Sequence, residues 1–382
     1  MERAFPVFPC NRAVVKGYRM DVQRKIYRED HEMFRTTVRR FLEREYLPGR
    51  EHGEDVDRSV WLKAGREGLL CVMLPAQFGG GGDFGHAAVV REEFARAGVC
   101  DGALSLHSDV IAPCIALLGS EEQQRRWLPG VCSGEAILAL AVAEPQGKFK
   151  KTLPTQAIRN GDQYVINGSK VCVGNGMQGN LIVLACRIEA DEGLSLIMVE
   201  TDRAGLHRSR SLQSGGQASA AELFFDNVRV PLGNLLGEAG RGMEYLNQAW
   251  GQEHLLLAIF AARRLEHLLQ QTLAEVQQPD GNGGSRWDLP YTRLKLAGIK
   301  ARTVGLRILV DYYLGARLRL PLSAEHSAIA NLNASETLRK CSDELTRLRG
   351  TGGALRTHST AHALTEHGGA GKALHEIIAH AL

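Results

Sequence analysis

No apolar run in the sequence approaches the roughly 20 residues needed to cross a bilayer, which excludes a membrane-spanning role. No block of one charge is present either. The net charge is +3 and the Lys and Arg are spread along the chain, so nothing argues for a nucleic-acid partner. The eight cysteines include no CxxC pair, which fits reduced thiols in a cytoplasmic enzyme better than a disulfide scaffold. Residues 1–20 hold Arg3, Arg12, Lys16 and Arg19 without a continuous apolar core, so they read as an extension before Met20 and not as a secretory signal. No internal repeat is visible. In the middle of the chain no helical pattern separates the strand-like runs, which argues against βαβ units.

A β-domain is what stands there. Ala157-Ile158-Arg159 and Tyr164-Val165-Ile166 flank Asn160-Gly161, a dipeptide that supplies the positive φ angles of a tight hairpin. Short β-rich runs follow at Leu181–Cys186, Leu194–Glu200 and Glu222–Pro231, so a sandwich or barrel is expected over 134–238. Before it, Phe34, Val38, Phe41 and Leu42 share one helix face that Pro48-Gly49 ends. Further helical patterns at 59–67, 87–97, 104–118 and 121–131 make 21–133 an all-α domain. After it, long patterns at 243–269, 293–320 and 327–348 and a short one at 372–382 make 239–382 a helical bundle. Gly80 to Gly85 formally spells GxGxxG. Pro75 and four more residues part it from the preceding apolar run, so it reads as a connector and not a dinucleotide site.

Four segments together carry a resemblance: GLLCVMLPAQFGGGG from Gly68, LLGSEEQQRRWLPGVCSGEAILALAVAEP from Leu117, GDQYVINGSKVCVGNG from Gly161 and ELFFDNVRVPLGNLLGEAGRG from Glu222. In this order and spacing the chain resembles the acyl-CoA dehydrogenase family from about Asp21 onward. The resemblance implies that family's architecture: an N-terminal helical domain, a middle β-domain and a C-terminal four-helix bundle, with FAD between the β-domain and the bundle. It also implies an acyl thioester substrate, held on CoA or on an acyl or peptidyl carrier protein. A carboxylate would remove the α-proton while hydride leaves Cβ for flavin N5, which requires a desolvated base close to the acyl chain. By position, the flavin contacts implied are Leu140, Val142, Ala143, Phe149, Cys172, Val173, Gly174 and Gly368.

Several of these positions depart from the family pattern. Ala143 replaces the usual Thr before Glu144-Pro145, and Lys148-Phe149-Lys150 replaces Gly-Ser-Asp. Cys172-Val173-Gly174 replaces Trp-Ile-Thr, removing an aromatic and a hydroxyl from the ring. Gly251 and His254 stand where many members have Asp and Arg on the pantetheine arm. Two carboxylates are candidate bases: Glu366 in Thr365-Glu366-His367-Gly368, placed first, and Glu253 in Gln252-Glu253-His254 on the first bundle helix. His358 and His362 at i, i+4 are read as solvated histidines, with no metal expected.

The expected activity is FAD-dependent α,β-dehydrogenation of an acyl thioester, with the electron acceptor left open. The alternatives are a flavin-dependent oxidase or monooxygenase on the same fold, and a non-catalytic paralogue that has lost FAD. A homodimer or homotetramer is expected from apolar positions on more than one side of Leu255–Ala262.

Overall fold

The Asn160-Gly161 dipeptide turns the chain as its residues favour. β2 (Gln156–Asn160) and β3 (Gln163–Val173) pair antiparallel with Asn160 opposite Gln163, and Gly161 has φ 63°. The computed structural model describes residues 24–48, 55–99, 102–145, 155–188, 193–210, 220–279, 283–349 and 371–381. The remaining strands are β1 (Leu138–Ala141), β4 (Leu181–Ile188), β5 (Leu194–Glu200), β6 (Leu206–Arg210), β7 (Ala221–Pro231) and β8 (Leu235–Leu236). They form one mixed sheet in the order β6-β7-β3-β2-β4-β5-β8, with β1 parallel to the start of β4. β4 and β5 are buried on both faces, which is why they read as unbroken apolar runs. Ile182, Leu184, Ile197 and Val199 fill the core of the β-domain, while Leu181, Val183, Leu196 and Met198 join the core of the helices.

The helices before the sheet are α1 (Glu29–Phe41), α2 (Arg58–Arg66), α3 (Phe84–Ala97), α4 (Ala103–Ser105), α5 (Ala112–Leu118) and α6 (Glu121–Ser133). A π-helical turn, Leu106–Ile111, joins α4 to α5. Asp83 caps α3: its Oδ1 accepts from the Gly85 and His86 amides, so a carboxylate already occupies the helix end a phosphate would need. The glycine-rich stretch is therefore a connector. Two buried polar side chains dock this helical domain on the sheet. His107 Nδ1 accepts from the Leu138 amide (3.1 Å) and its Nε2 donates to Val131 O (3.1 Å). Asn175 Nδ2 donates to Ala103 O (2.9 Å) and Leu138 O (3.1 Å).

The bundle consists of α7 (Gly242–Val276), α8 (Pro290–Arg317), α9 (Ala324–Arg349) and α10 (Gly371–Ala379). α7 is the central helix, packed against α3, α8 and α9. Every residue from Leu255 to Ala262 is buried within the chain, so the positions first read as an oligomer face are internal core. Among the described residues, an apolar face without a partner lies on α8. Tyr291, Leu294, Ile308 and Tyr312 are exposed there, and Gly298, Ala301 and Gly305 lie between them at i, i+3/i+4 spacing. Glu92 on α3 ties the two helical domains together. It is buried against Arg24, Arg35 and Arg307, whose charges hold it down to about 2 against the desolvation that would raise it.

Candidate active site at the junction of the three domains

The end of β1 runs beside the end of β3. Leu140 bridges to Gly174, and the Val171 amide donates to Ala143 O (2.9 Å), both in one antiparallel register. This contact brings five of the expected flavin positions to one edge. Leu140, Val142, Ala143 and Gly174 are half-buried and Cys172 is exposed, with Cys172 in the left-handed region at φ 52°. Val173 is different: it is fully buried in the core of the β-domain and faces away from that edge. Phe149 and Gly368 lie outside the described residues.

Beneath this edge sits an ion pair shut off from solvent. Lys170 Nζ donates to Glu144 Oε1 (2.8 Å) and to Val142 O (3.1 Å), and Glu144 Oε1 also accepts from the Thr155 amide (3.2 Å). Burial pulls the Lys170 ammonium down from its ordinary value, and Glu144 opposes that fall. The pair fixes the carbonyl of Val142, and with it the backbone of the edge.

At Gly174 the fit to an isoalloxazine is partial. Leu140, Val142 and Gly174 offer an apolar platform of the kind a flat aromatic ring stacks on. A Cβ added to Gly174 would stand 2.5 Å from Leu106 Cδ2, so Leu106 of the π-helical turn occupies the space a threonine would take. The apolar edge is compatible with a flat ring, and Ala143, Cys172 and Gly174 offer it no side-chain hydroxyl.

Of the two candidate bases, Glu366 lies outside the described residues, as do His358 and His362. Glu253 is on α7, where the chain is helical for 35 residues, and its carboxyl faces Arg91 of α3 and Asp109 of the π-helical turn. Burial pushes the Glu253 carboxyl up to about 7; Arg91 opposes the rise and the like charge of Asp109 adds to it. Asp109 is itself raised to about 6 by burial, with Arg91 and the Ser105 hydroxyl (Oγ donating to Oδ2, 2.8 Å) holding it lower than it would otherwise stand.

The next residue on α7 points elsewhere. His254 is buried, its Nδ1 accepts from Asn331 Nδ2 on α9 (3.2 Å), and desolvation lowers it to about 4, so it is neutral at pH 7. Gly251 faces the start of α9, where an added Cβ would come to 3.9 Å from Ala324. The structure therefore brings Glu253 to Arg91 and Asp109 and turns His254 toward α9. Arg91, Asp109, Ser105 and Leu106 were not singled out in the sequence. Each reads there as an ordinary helix residue, and only the packing of α3 and the π-helical turn on α7 gathers them. A π-helical turn is itself a recurrent mark of functional sites, but its hydrogen-bond pattern is not written in residue types.

Comparison with known proteins agrees with the three-domain architecture. Residues 28–135 match the N-terminal, 139–228 the middle and 240–381 the C-terminal domain of acyl-CoA dehydrogenases. The long-chain specific acyl-CoA dehydrogenase of Mus musculus mitochondria is 33% identical over 374 residues, covering 93% of this chain and 87% of that protein. The corresponding enzyme of Sus scrofa is 32% identical with the same coverage. The crystal structure of an acyl-CoA dehydrogenase from Geobacillus kaustophilus superposes with a TM-score of 0.88 at 31% identity, covering 93% of this chain and 98% of that one. With all three domains present in order, and relatives named as oxidoreductases of this kind aligned along nearly its whole length, the chain belongs to the acyl-CoA dehydrogenase family.

Proposed function

We propose that this protein oxidises an acyl thioester between Cα and Cβ, with Glu253 as the base that removes the α-proton. The observation that carries this reading is a carboxyl on a rigid helix, desolvated and raised to about 7 beside one cation and one further acid. A base with a pKa near the working pH is largely ionised yet still basic enough to accept a carbon-bound proton. Arg91 keeps the carboxylate accessible, and Asp109 keeps it from becoming too weak a base. This reading places Glu253 ahead of Glu366, reversing the order suggested by the sequence motifs.

FAD, when bound, supplies the acceptor for the hydride that leaves Cβ. Leu140, Val142, Ala143, Cys172 and Gly174 would hold its ring along the β1–β3 edge. The acyl group is carried on CoA or on a carrier protein; the run of Lys148, Lys150 and Lys151 supports an acidic carrier. The compartment is proposed as cytoplasmic, and the assembly as a homodimer or homotetramer with subunits meeting through the exposed α8 face. A second reading, a paralogue without flavin, is supported by the missing side chains at Ala143, Cys172 and Gly174.

Two parallel variants test the base. Glu253→Gln should bind a thioester normally and lose several orders of magnitude in anaerobic flavin reduction, while Glu366→Gln stays close to wild type. The opposite pattern would return Glu366 to the role. Purified protein with no flavin absorbance would support the second reading, and oxygen consumption during turnover would identify an oxidase.

A further inference from the structure

Two buried thiols meet where the glycine-rich connector folds back on the N-terminal helices. Cys71 stands in the turn before the connector and Cys132 near the end of α6, and the Cys71 thiol hydrogen-bonds the Cys132 thiol. The connector packs on both. Leu74 N donates to Cys71 O (2.9 Å) and Gly82 N to Val72 O (2.8 Å), which closes residues 71–82 into a compact loop. A Cβ added to Gly79 of that loop would stand 2.8 Å from Cys132 Cβ, and one added to Gly80 would stand 2.8 Å from Cys71 O. Two adjacent glycines thus let the loop close on the pair.

Cys71 has φ 52°, a left-handed backbone that glycine takes freely and a side chain takes only under strain. Strain of this kind collects where a side chain has chemistry to perform. The two thiols are not equivalent. Cys71 is fully buried, whereas Cys132 keeps 4% exposure. Burial pushes the Cys71 thiol up and the hydrogen bond from Cys71 draws Cys132 down, so Cys132 is the one that reaches the thiolate first. Among the described residues no His or carboxylate completes a set of metal ligands around them. Cys114, also buried, donates to Val110 O (3.2 Å) instead of to a thiol.

We propose that Cys71 and Cys132 are a redox pair, which a peroxide closes to a disulfide between the connector turn and α6 and a dithiol reopens. The Cys132 sulfur attacks one peroxide oxygen and the O–O bond breaks; a sulfenic acid forms, and the departing hydroxide takes up the Cys132 proton as water. The Cys71 sulfur then attacks the Cys132 sulfur, the S–O bond breaks, and a second water leaves with the Cys71 proton. Two electrons pass from the sulfurs to the peroxide. The pair is independent of which carboxylate removes the α-proton.

Hydrogen peroxide added to the purified chain tests this, followed by alkylation of the remaining thiols in denaturant and peptide mass spectrometry without reductant. The peptides of Cys71 and Cys132 should appear joined and lighter by two hydrogens, and dithiothreitol should release them. Cys71→Gly suits the left-handed backbone and leaves Cys132 without its partner. Dimedone should then trap a sulfenic acid at Cys132, and about 10-fold less of it in the wild type, where Cys71 consumes it. Full alkylation of both cysteines after peroxide overturns the inference, as does either one joined to a different cysteine. Loss of Cys114 at the same rate also overturns it, because oxidation would then follow unfolding and not a built pair.

Discussion

Glu253→Gln should make the protein more stable, and only above a certain pH. The ordinary carboxyl value is 4.5 and the folded value is about 7, a gap of about 2.5 pH units, or roughly 3 kcal/mol at 1.36 kcal/mol per unit. Below pH 4.5 the folded and unfolded chains both carry the proton on Glu253 and the group costs nothing. Between pH 4.5 and 7 the unfolded chain releases it and the folded chain does not, so the wild type loses stability as pH rises. Above pH 7 the cost is complete and constant. Gln removes the titration but brings a buried amide of its own, so about 2 kcal/mol is the expected net gain at pH 8. The assay is the difference in Tm between variant and wild type, measured from pH 4.5 to 8.5. It should start near zero and rise to a few degrees. Glu253 and Asp109 interact, so the midpoint of that rise belongs to the pair, and Asp109→Asn should move it to lower pH. A difference that is flat with pH would refute a buried, raised carboxyl at this position, whatever the kinetics show.

Three further outcomes are expected. Restoring the proposed flavin contacts as Cys172→Trp/Gly174→Thr should give only a partial gain alone, because the threonine must displace the tip of Leu106 and the tryptophan must take the left-handed backbone at position 172. Adding Leu106→Ala should raise bound flavin about 10-fold or more, read from absorbance per chain, and unchanged occupancy in the triple variant would show that the edge does not face the ring. Lys170→Met leaves Glu144 buried without its cation and should cost about 3–5 kcal/mol in urea unfolding. Lys170→Met/Glu144→Leu should recover much of that loss, and equal losses in both would mean the pair is not isolated from solvent. Ile308→Arg on the exposed face of α8 should lower the mass measured by light scattering toward that of one chain, and an unchanged mass would place the subunit contact elsewhere.

The hairpin at Asn160-Gly161, the buried runs of β4 and β5 and the long helices were legible because each depends on residues adjacent in sequence. The base was not. Glu253 and Glu366 sit in motifs of similar quality, Glu366 lies outside the described residues, and the proposal for Glu253 rests on Arg91 and Asp109, more than a hundred residues upstream of it. The oligomer face failed for a related reason. A helix apolar on several sides, as α7 is over 255–262, signals either an interface or a central core helix, and only its packing against α3, α8 and α9 decides for the core. The erosion of the flavin contacts was visible as missing residue types. That Leu106 lies against Gly174 was not, since the π-helical turn leaves no mark of its own in the sequence.

Glu253 sits inside α7, the longest helix among the described residues, and on the proposed reading this divides the site into a fixed part and a variable one. The carboxyl is held by a span whose neighbours on α3, α8 and α9 all resist displacement, so the reacting atom has little freedom to wander as other positions change. The charged groups that act on it come from α3 and the π-helical turn. With Glu253 as the proposed base, Leu106 and Ser108 can change without touching the proton-removing group, whereas a change at Asp109 alters that group as well.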